Sequence, residues 1–140
     1  MAATSFVVKT MTVEIGTASY ECDITGLKEV PNTPVLQTAT ACPDGVQSDV
    51  GQTTWTLDIS ANVSQETGSL WELLNDPTNW GKRVTATWAP DATNNPTKGR
   101  TALVSLVPPG GDFTVNSWAT YQISLPIHGY PANKTIVIVP

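Results

Sequence analysis

From Thr53 to Val63 the chain alternates without a break. Odd positions carry Thr53, Trp55, Leu57, Ile59, Ala61 and Val63, and even positions carry Thr54, Thr56, Asp58, Ser60 and Asn62. Successive side chains of an extended backbone point to opposite faces, so this run requires a strand with one dry and one wet side. Phe113 to Leu125 reads the same way, with Val115, Ala119, Tyr121 and Ile123 alternating against Thr114, Asn116, Thr120 and Gln122. Weaker alternation marks Ser5 to Ile15, Tyr20 to Thr25, Arg83 to Trp88 and Ala102 to Val107. Thr135 to Val139 has no polar face, as expected of a covered strand or one that pairs with another chain. The composition agrees: 21 Thr, 14 Val and 7 Ile make the chain rich in β-branched side chains, which suit a pleated surface better than a helix. The expected class is all-β, a single domain over residues 1–140, with short punctuated loops joining antiparallel strands.

Charge removes several functions. Seven Lys and Arg stand against twelve Asp and Glu, for a net charge of −5, and Lys82-Arg83 is the only adjacent basic pair. Specific nucleic-acid binding needs a basic footprint that this chain lacks. No apolar run approaches the ~20 residues of a membrane-spanning helix, so no membrane anchor is expected. The N-terminus shows no basic stretch ahead of an apolar one, which reads as synthesis for use in the cytoplasm. Cys22 and Cys42 are too few for a disulfide scaffold or a four-ligand zinc site; they read as buried thiols, or as a bridge formed after release to an oxidising environment.

Turn clusters punctuate the pattern at Glu14–Thr17, Pro90–Gly99, Pro108–Gly111 and His128–Asn133. One helix is predicted. Ser69 and Glu72 have the spacing of a capping box, Leu70, Leu73 and Leu74 share a face, and Pro77 ends the run. Such a helix is too short to stand alone and must lie on the sheet. Gly26 to Gly51 reads as one long loop, with turns at Pro31–Pro34 and Cys42–Gly45 around a faint strand pattern. Loops of that length in a small domain are usually functional or disordered, and this one, Thr-rich and moderately polar, reads as a segment that orders against a partner.

Catalytic chemistry finds little support. The only His, His128, has no nucleophile elbow beside it and reads as a loop imidazole bonded to backbone. One His, two distant Cys and no calcium-loop spacing argue against a metal, and no cofactor is expected. Glu21, Asp23 and Asp58 fall on expected wet faces, where a glycosidase pair could be drawn from them; solvated surface charge is the simpler account. Of five Trp, Trp55 and Trp88 lie on apolar strand faces, whereas Trp71, Trp80 and Trp118 are candidates for surfaces buried on assembly.

Gly51 to Tyr130 resembles the tail tube, or major tail, proteins of long-tailed bacteriophages. The likeness rests on order: a T-x-x-L-D-I strand at Thr54 to Ile59, the short helix at Leu70 to Leu74, a V-T-x-x-x-x-P-D strand at Val84 to Asp91, a G-x-A-like strand at Gly99 to Val107, then a long alternating strand. The resemblance implies a β-sandwich-like barrel flanked by one short α-helix. It implies six copies closing into a ring and rings stacking into a hollow tube through which DNA passes without specific binding. Expected partners are the chain itself and tape-measure, tail-terminator and tail-tip proteins. The expected location is the virion tail, assembled in the host bacterial cytoplasm, and no enzyme activity is expected. The further immunoglobulin-like domain of some members is not expected here. The corresponding loop in the family reaches an adjacent ring, which assigns stacking to Pro31, Pro34, Val35, Leu36, Cys42, Pro43 and Val46. The channel lining falls to Glu21, Asp23 and Asp58, with Thr54, Thr56, Ser60, Thr120 and Gln122 as neutral neighbours. An assembling C-terminal strand over residues 134–140 would present Ile136, Val137, Ile138 and Val139. The alternatives are a carbohydrate-binding β-sandwich module and a small glycosidase.

Overall fold

The strand demanded by the Thr53–Val63 alternation is present as Thr54–Asn62, and its odd residues Leu57, Ile59 and Ala61 are buried. The computed structural model describes residues 6–20, 23–39 and 46–136. In chain order the strands are β1 (Thr12–Ile15), β2 (Ala18–Ser19), β3 (Ile24–Asn32), β4 (Val35–Ala39), β5 (Val46–Val50), β6 (Thr54–Asn62), β7 (Arg83–Ala89), β8 (Lys98–Ser105) and β9 (Thr120–Thr135). One helix, α1 (Leu70–Asn75), and a 3-10 turn at Pro77–Asn79 lie between β6 and β7. Seven strands form one sheet in the order β2-β1-β7-β8-β9-β6-β3, antiparallel at every pairing. The class read from the pattern, all-β with one short helix, is the class observed.

A single sheet that buries one face must curl over that face. Here Val13, Ile15, Ala86, Trp88, Val104 and Leu125 join the β6 residues in one core, with Leu70 and Leu74 of α1 packed against them. Edge strand β3 is held over the far side of the sheet. The Glu29 carboxylate accepts from the Arg100 guanidinium of β8 at 2.6 and 3.2 Å and from the Trp88 indole of β7 at 3.3 Å. In sheet order β3 and β8 are separated by β9 and β6, so these bonds cross the interior of a curled sheet. Bonding to Glu29 holds the Arg100 pKa above its ordinary value.

Several expectations are corrected. Phe113 to Ala119 is not strand: β9 begins at Thr120, and Phe113, Val115 and Trp118 are exposed. The chain turns there instead. Thr114 Oγ1 donates to Asp112 Oδ1 at 3.2 Å, Ser117 N bonds Thr114 O at 3.1 Å, and Asn116 takes a φ of +67°. His128 to Asn133, read as a turn, lies inside β9. Between the pairs Leu103–His128 and Thr101–Ala132 the register slips, and Gly129 (φ +88°) and Pro131 fall in that bulge. Of the strand expected over Tyr20 to Thr25, β3 begins at Ile24, and Asp23 N bonds Tyr20 O at 3.0 Å just before it; Glu21 and Cys22 lie outside the described residues.

The stretch 26–51 is, over its described residues 26–39 and 46–51, mostly strand rather than loop. Its first part completes β3, and β4 and β5 then pair as a hairpin that forms a separate two-stranded sheet. Its Thr-rich pattern hid the strands because Val35, Leu36 and Val50 are all exposed, so no buried face imposes a period of two. The capping box is half made. Ser69 Oγ accepts from Glu72 N at 3.3 Å, but the Ser69 amide bonds Glu66 O, and its hydroxyl donates to Ser64 O at 2.7 Å. Pro77 does close α1, with Asp76 capping the turn that follows.

Candidate assembly surfaces

The outer face of the β3-β6-β9 wall collects most of the residues expected to line a channel. On β6, Thr54, Thr56, Asp58 and Ser60 point away from the buried Leu57, Ile59 and Ala61. On β9, Thr120 and Gln122 point away from Tyr121 and Ile123, and the register sets Gln122 opposite Ser60 and Ser124 opposite Asp58. A shallow depression of about 610 Å³ lies along this wall, lined by Lys28, Asp58, Ser60, Gln122 and Ser124 among others. Thr56 Oγ1 donates to Asp58 Oδ1 at 3.2 Å, which fixes the carboxylate over the strand. Asp23 does not join them, because it sits in the turn before β3, where its carbonyl accepts from Asn62 N at 2.9 Å. Glu21 lies outside the described residues.

Sequence reasoning missed Lys28. It lies directly across from Asp58 in the β3–β6 register, so cation and carboxylate offset each other on this wall. The residue was hidden inside what read as a loop; recognising β3 as an edge strand would have put it on the face.

The stacking residues divide. Pro31 lies in β3 opposite Trp55, Pro34 precedes β4, and Val35 and Leu36 open β4; Val46 starts β5, where it pairs with Ala39. Cys42 and Pro43 lie outside the described residues. The hairpin leaves the sheet where Asn32 pairs with Thr54. Its base is fastened by a Gly51 N to Pro34 O bond of 2.7 Å and by the Thr33 and Thr53 hydroxyls at 2.7 Å. At the C-terminal end, Lys134 and Thr135 pair with Gly99 and Lys98 of the chain's own β8, and Ile136 N bonds Thr97 O at 2.7 Å. The expected assembling strand is therefore engaged within its own sheet as far as Ile136. A Cβ on Gly99 would come 2.5 Å from the tip of the Ile136 side chain, so a larger residue there would have to displace it. Val137, Ile138 and Val139 lie outside the described residues.

At the opposite end of the sheet, α1 and the loop from Leu106 to Ala119 meet. Trp71 donates from its indole to Gly110 O at 2.8 Å and packs edge-on against Phe113 with ring centroids 6.3 Å apart. Trp118, 86% exposed, and Val115, 87% exposed, project beyond them. Trp80 is exposed but donates to Leu74 O at 2.8 Å, whereas Trp88 is core and Trp55 half-buried, as expected. His128 is not bonded to backbone: its Nε2 meets Ser105 Oγ at 2.6 Å, joining β9 to the end of β8. Among the described residues no group of three His, Cys, Asp or Glu could hold a metal. The Tyr121 hydroxyl is buried without a partner among them. Burial pushes its pKa above the ordinary value, with Asp23 adding to the effect, and burial does the same to Tyr20.

No family model matches this chain, and no curated protein matches its sequence. Solved structures do match in fold. The chain is similar to a chain of an extracellular contractile injection system, the PVC sheath/tube terminator in its extended state. That match has a TM-score of 0.64 and 14% identity and covers 96% of this chain and 100% of the other. It is also similar to a chain of the PVC sheath-tube complex in its extended state, with a TM-score of 0.63 and 14% identity over 94% and 93% of the two chains.

Proposed function

We propose that this chain is a structural subunit of a tail tube. Copies close into rings, six to a ring, and the rings stack into a hollow tube that conducts DNA in a phage tail. The observation that carries this reading is the end-to-end likeness in fold to a chain of a sheath-tube complex. Two features of the molecule support it. Among the described residues the β3-β6-β9 wall presents Thr, Ser and Gln, with the Asp58 carboxylate offset by Lys28, a neutral polar lining to which DNA phosphates have little reason to adhere. Among the described residues the β4–β5 hairpin pairs only with itself, and it offers exposed apolar side chains to a neighbour, which suits a contact between rings. The tape-measure, terminator and tip proteins are the partners of such a tube, and host cytoplasm is where it assembles.

Negative-stain microscopy of the concentrated protein tests this reading. Tubes or six-fold rings are the expected outcome; a chain that stays monomeric at every concentration, or binds glycans as a monomer through Trp118, overturns it. The lining assignment has its own test. Asp58→Lys joins a second cation to Lys28 and, in a ring of six, swings the local charge by about twelve units, enough to hold phosphates at low salt. Tubes of this variant assemble normally and slow DNA ejection, with the defect relieved by salt. Ejection at the wild-type rate places Asp58 elsewhere.

A further inference from the structure

Beyond the β3-β6-β9 wall, toward β7, the outer face of the sheet carries a cluster that the tube reading leaves unused. Arg83 opens β7 directly across from Ser105 of β8, so both side chains stand on that face. His128 of β9 lies opposite Leu103, and its ring reaches along β8 to Ser105, with Nε2 2.6 Å from Oγ. The imidazole tip is thereby held over β8, about one strand spacing, ~5 Å, from β7. Arg83 is exposed, and Ser105 and His128 are half-buried. Among the described residues Arg83 pairs with no carboxylate. Its neighbour Lys82 is drawn to the 3-10 turn, where it donates to Asn79 Oδ1 at 3.4 Å and faces Asp76. On the flanking strands the carboxylates of this face are Glu14, opposite Thr87, and Asp58, opposite Ser124. Each pairs with a residue four positions along from Arg83 or His128, ~13 Å, beyond the ~8 Å over which exposed charges act at physiological salt. Tyr130, a neutral phenol, follows His128 in the β9 bulge.

We propose that Arg83, Ser105 and His128 form a binding site for a phosphate group or a similar tetrahedral oxyanion, which they hold more tightly when His128 is protonated. The guanidinium supplies a permanent charge and a fork of N–H donors. The serine supplies a proton whose direction depends on the imidazole. Neutral His128 can accept it at Nε2, but the imidazolium can only donate to Ser105 Oγ, which turns the hydroxyl proton outward to an anion. Protonation therefore adds a charge and a donor together, and imidazole is the side chain that ordinarily changes charge between about pH 5 and 8. The site is complete within one chain, so it stands whether or not copies assemble. The phosphate group it takes is that of a free ion or of a DNA backbone.

His128 is the chain's one histidine, so its ring resonance in a proton NMR titration is unambiguous. Sodium sulfate, which keeps its charge across this range, should raise the pH of half-protonation of His128 by about 0.5 relative to sodium chloride of equal ionic strength, which by linkage is about threefold tighter binding to the imidazolium form. Arg83→Gln should abolish the response, and Lys28→Gln, on the same face but outside the cluster, should keep it. A short DNA duplex in place of sulfate separates the sources. A response to the duplex alone supports a site for backbone phosphodiesters, and a response to sulfate, with or without the duplex, supports one for the free ion. No response to either, a response that survives Arg83→Gln, or one lost equally in Lys28→Gln overturns the site. Where assembly broadens the resonance, phenylglyoxal labelling of Arg83 read by peptide mass spectrometry takes its place. Sulfate should slow that labelling about threefold and leave Arg100, held by Glu29, unchanged. Equal rates with and without sulfate overturn the site.

Discussion

The curled sheet and the β4–β5 hairpin are built from similar residues and differ in what their side chains touch. In the sheet every strand turns one face to a shared core, and Trp88 at its centre is 1% exposed. In the hairpin Val35 is 63% and Val50 65% exposed, and among the described residues the two strands pair only with each other. Apolar content alone therefore does not make a self-sufficient unit. A fold needs a second layer to bury against, and a segment without one is held by its ends until something else provides it.

Substitutions in the two regions sharpen the contrast. Trp88→Ala should destabilise the monomer most, by about 3–5 kcal/mol, because it leaves a cavity in a core that cannot collapse around it; chemical denaturation measures this. Glu29→Gln keeps an acceptor for Trp88 and Arg100 but removes the charge, and should cost about 1–2 kcal/mol by loosening β3 from β8. In the hairpin, V35T/L36T should move monomer stability by no more than about 0.5 kcal/mol while depressing assembly. A large loss of monomer stability from that pair would mean the hairpin packs on the sheet after all.

The smallest effect tests the buried hydroxyl. The folded state raises the Tyr121 pKa, so its contribution is intact below the unfolded value near 10 and is lost as pH rises through the folded one. Tyr121→Phe should change little at neutral pH and should flatten the loss of thermal stability above about pH 10. An unaltered alkaline limb would assign that loss to other groups, Tyr20 first.

What could be read in advance follows the same division. The Thr54–Asn62 strand was legible because burial on one side and water on the other write a period of two into the residues themselves. Phe113 to Ala119 carries the same period with no buried face behind it; the Asp112–Thr114 bond and the positive φ of Asn116 decide its path, and neither has a periodic signature. The far half of β9 was hidden by Pro126, Gly129 and Pro131, which normally interrupt strands. Pro131 falls in the bulge, and Pro126 lies one residue beyond the last β8 pair, Val104 with Ile127. Of the surface residues, those on β6 and β9 were legible because they alternate with core, and Lys28 was not, because β3 is an edge strand whose exposed and half-buried residues do not alternate cleanly.

Strand β9 also bears on when the molecule can exist. It is the last strand in chain order among the described residues, yet it sits between β8 and β6. Until it inserts, β2-β1-β7-β8 and β6-β3 are two half-sheets with no edge in common, each with a bare flank. During synthesis the ribosome must therefore deliver residues 120–135 before either half gains its partner. Completion of the body waits on the arrival of residues 120–135, and a shorter nascent fragment leaves both half-sheets unpaired along that flank.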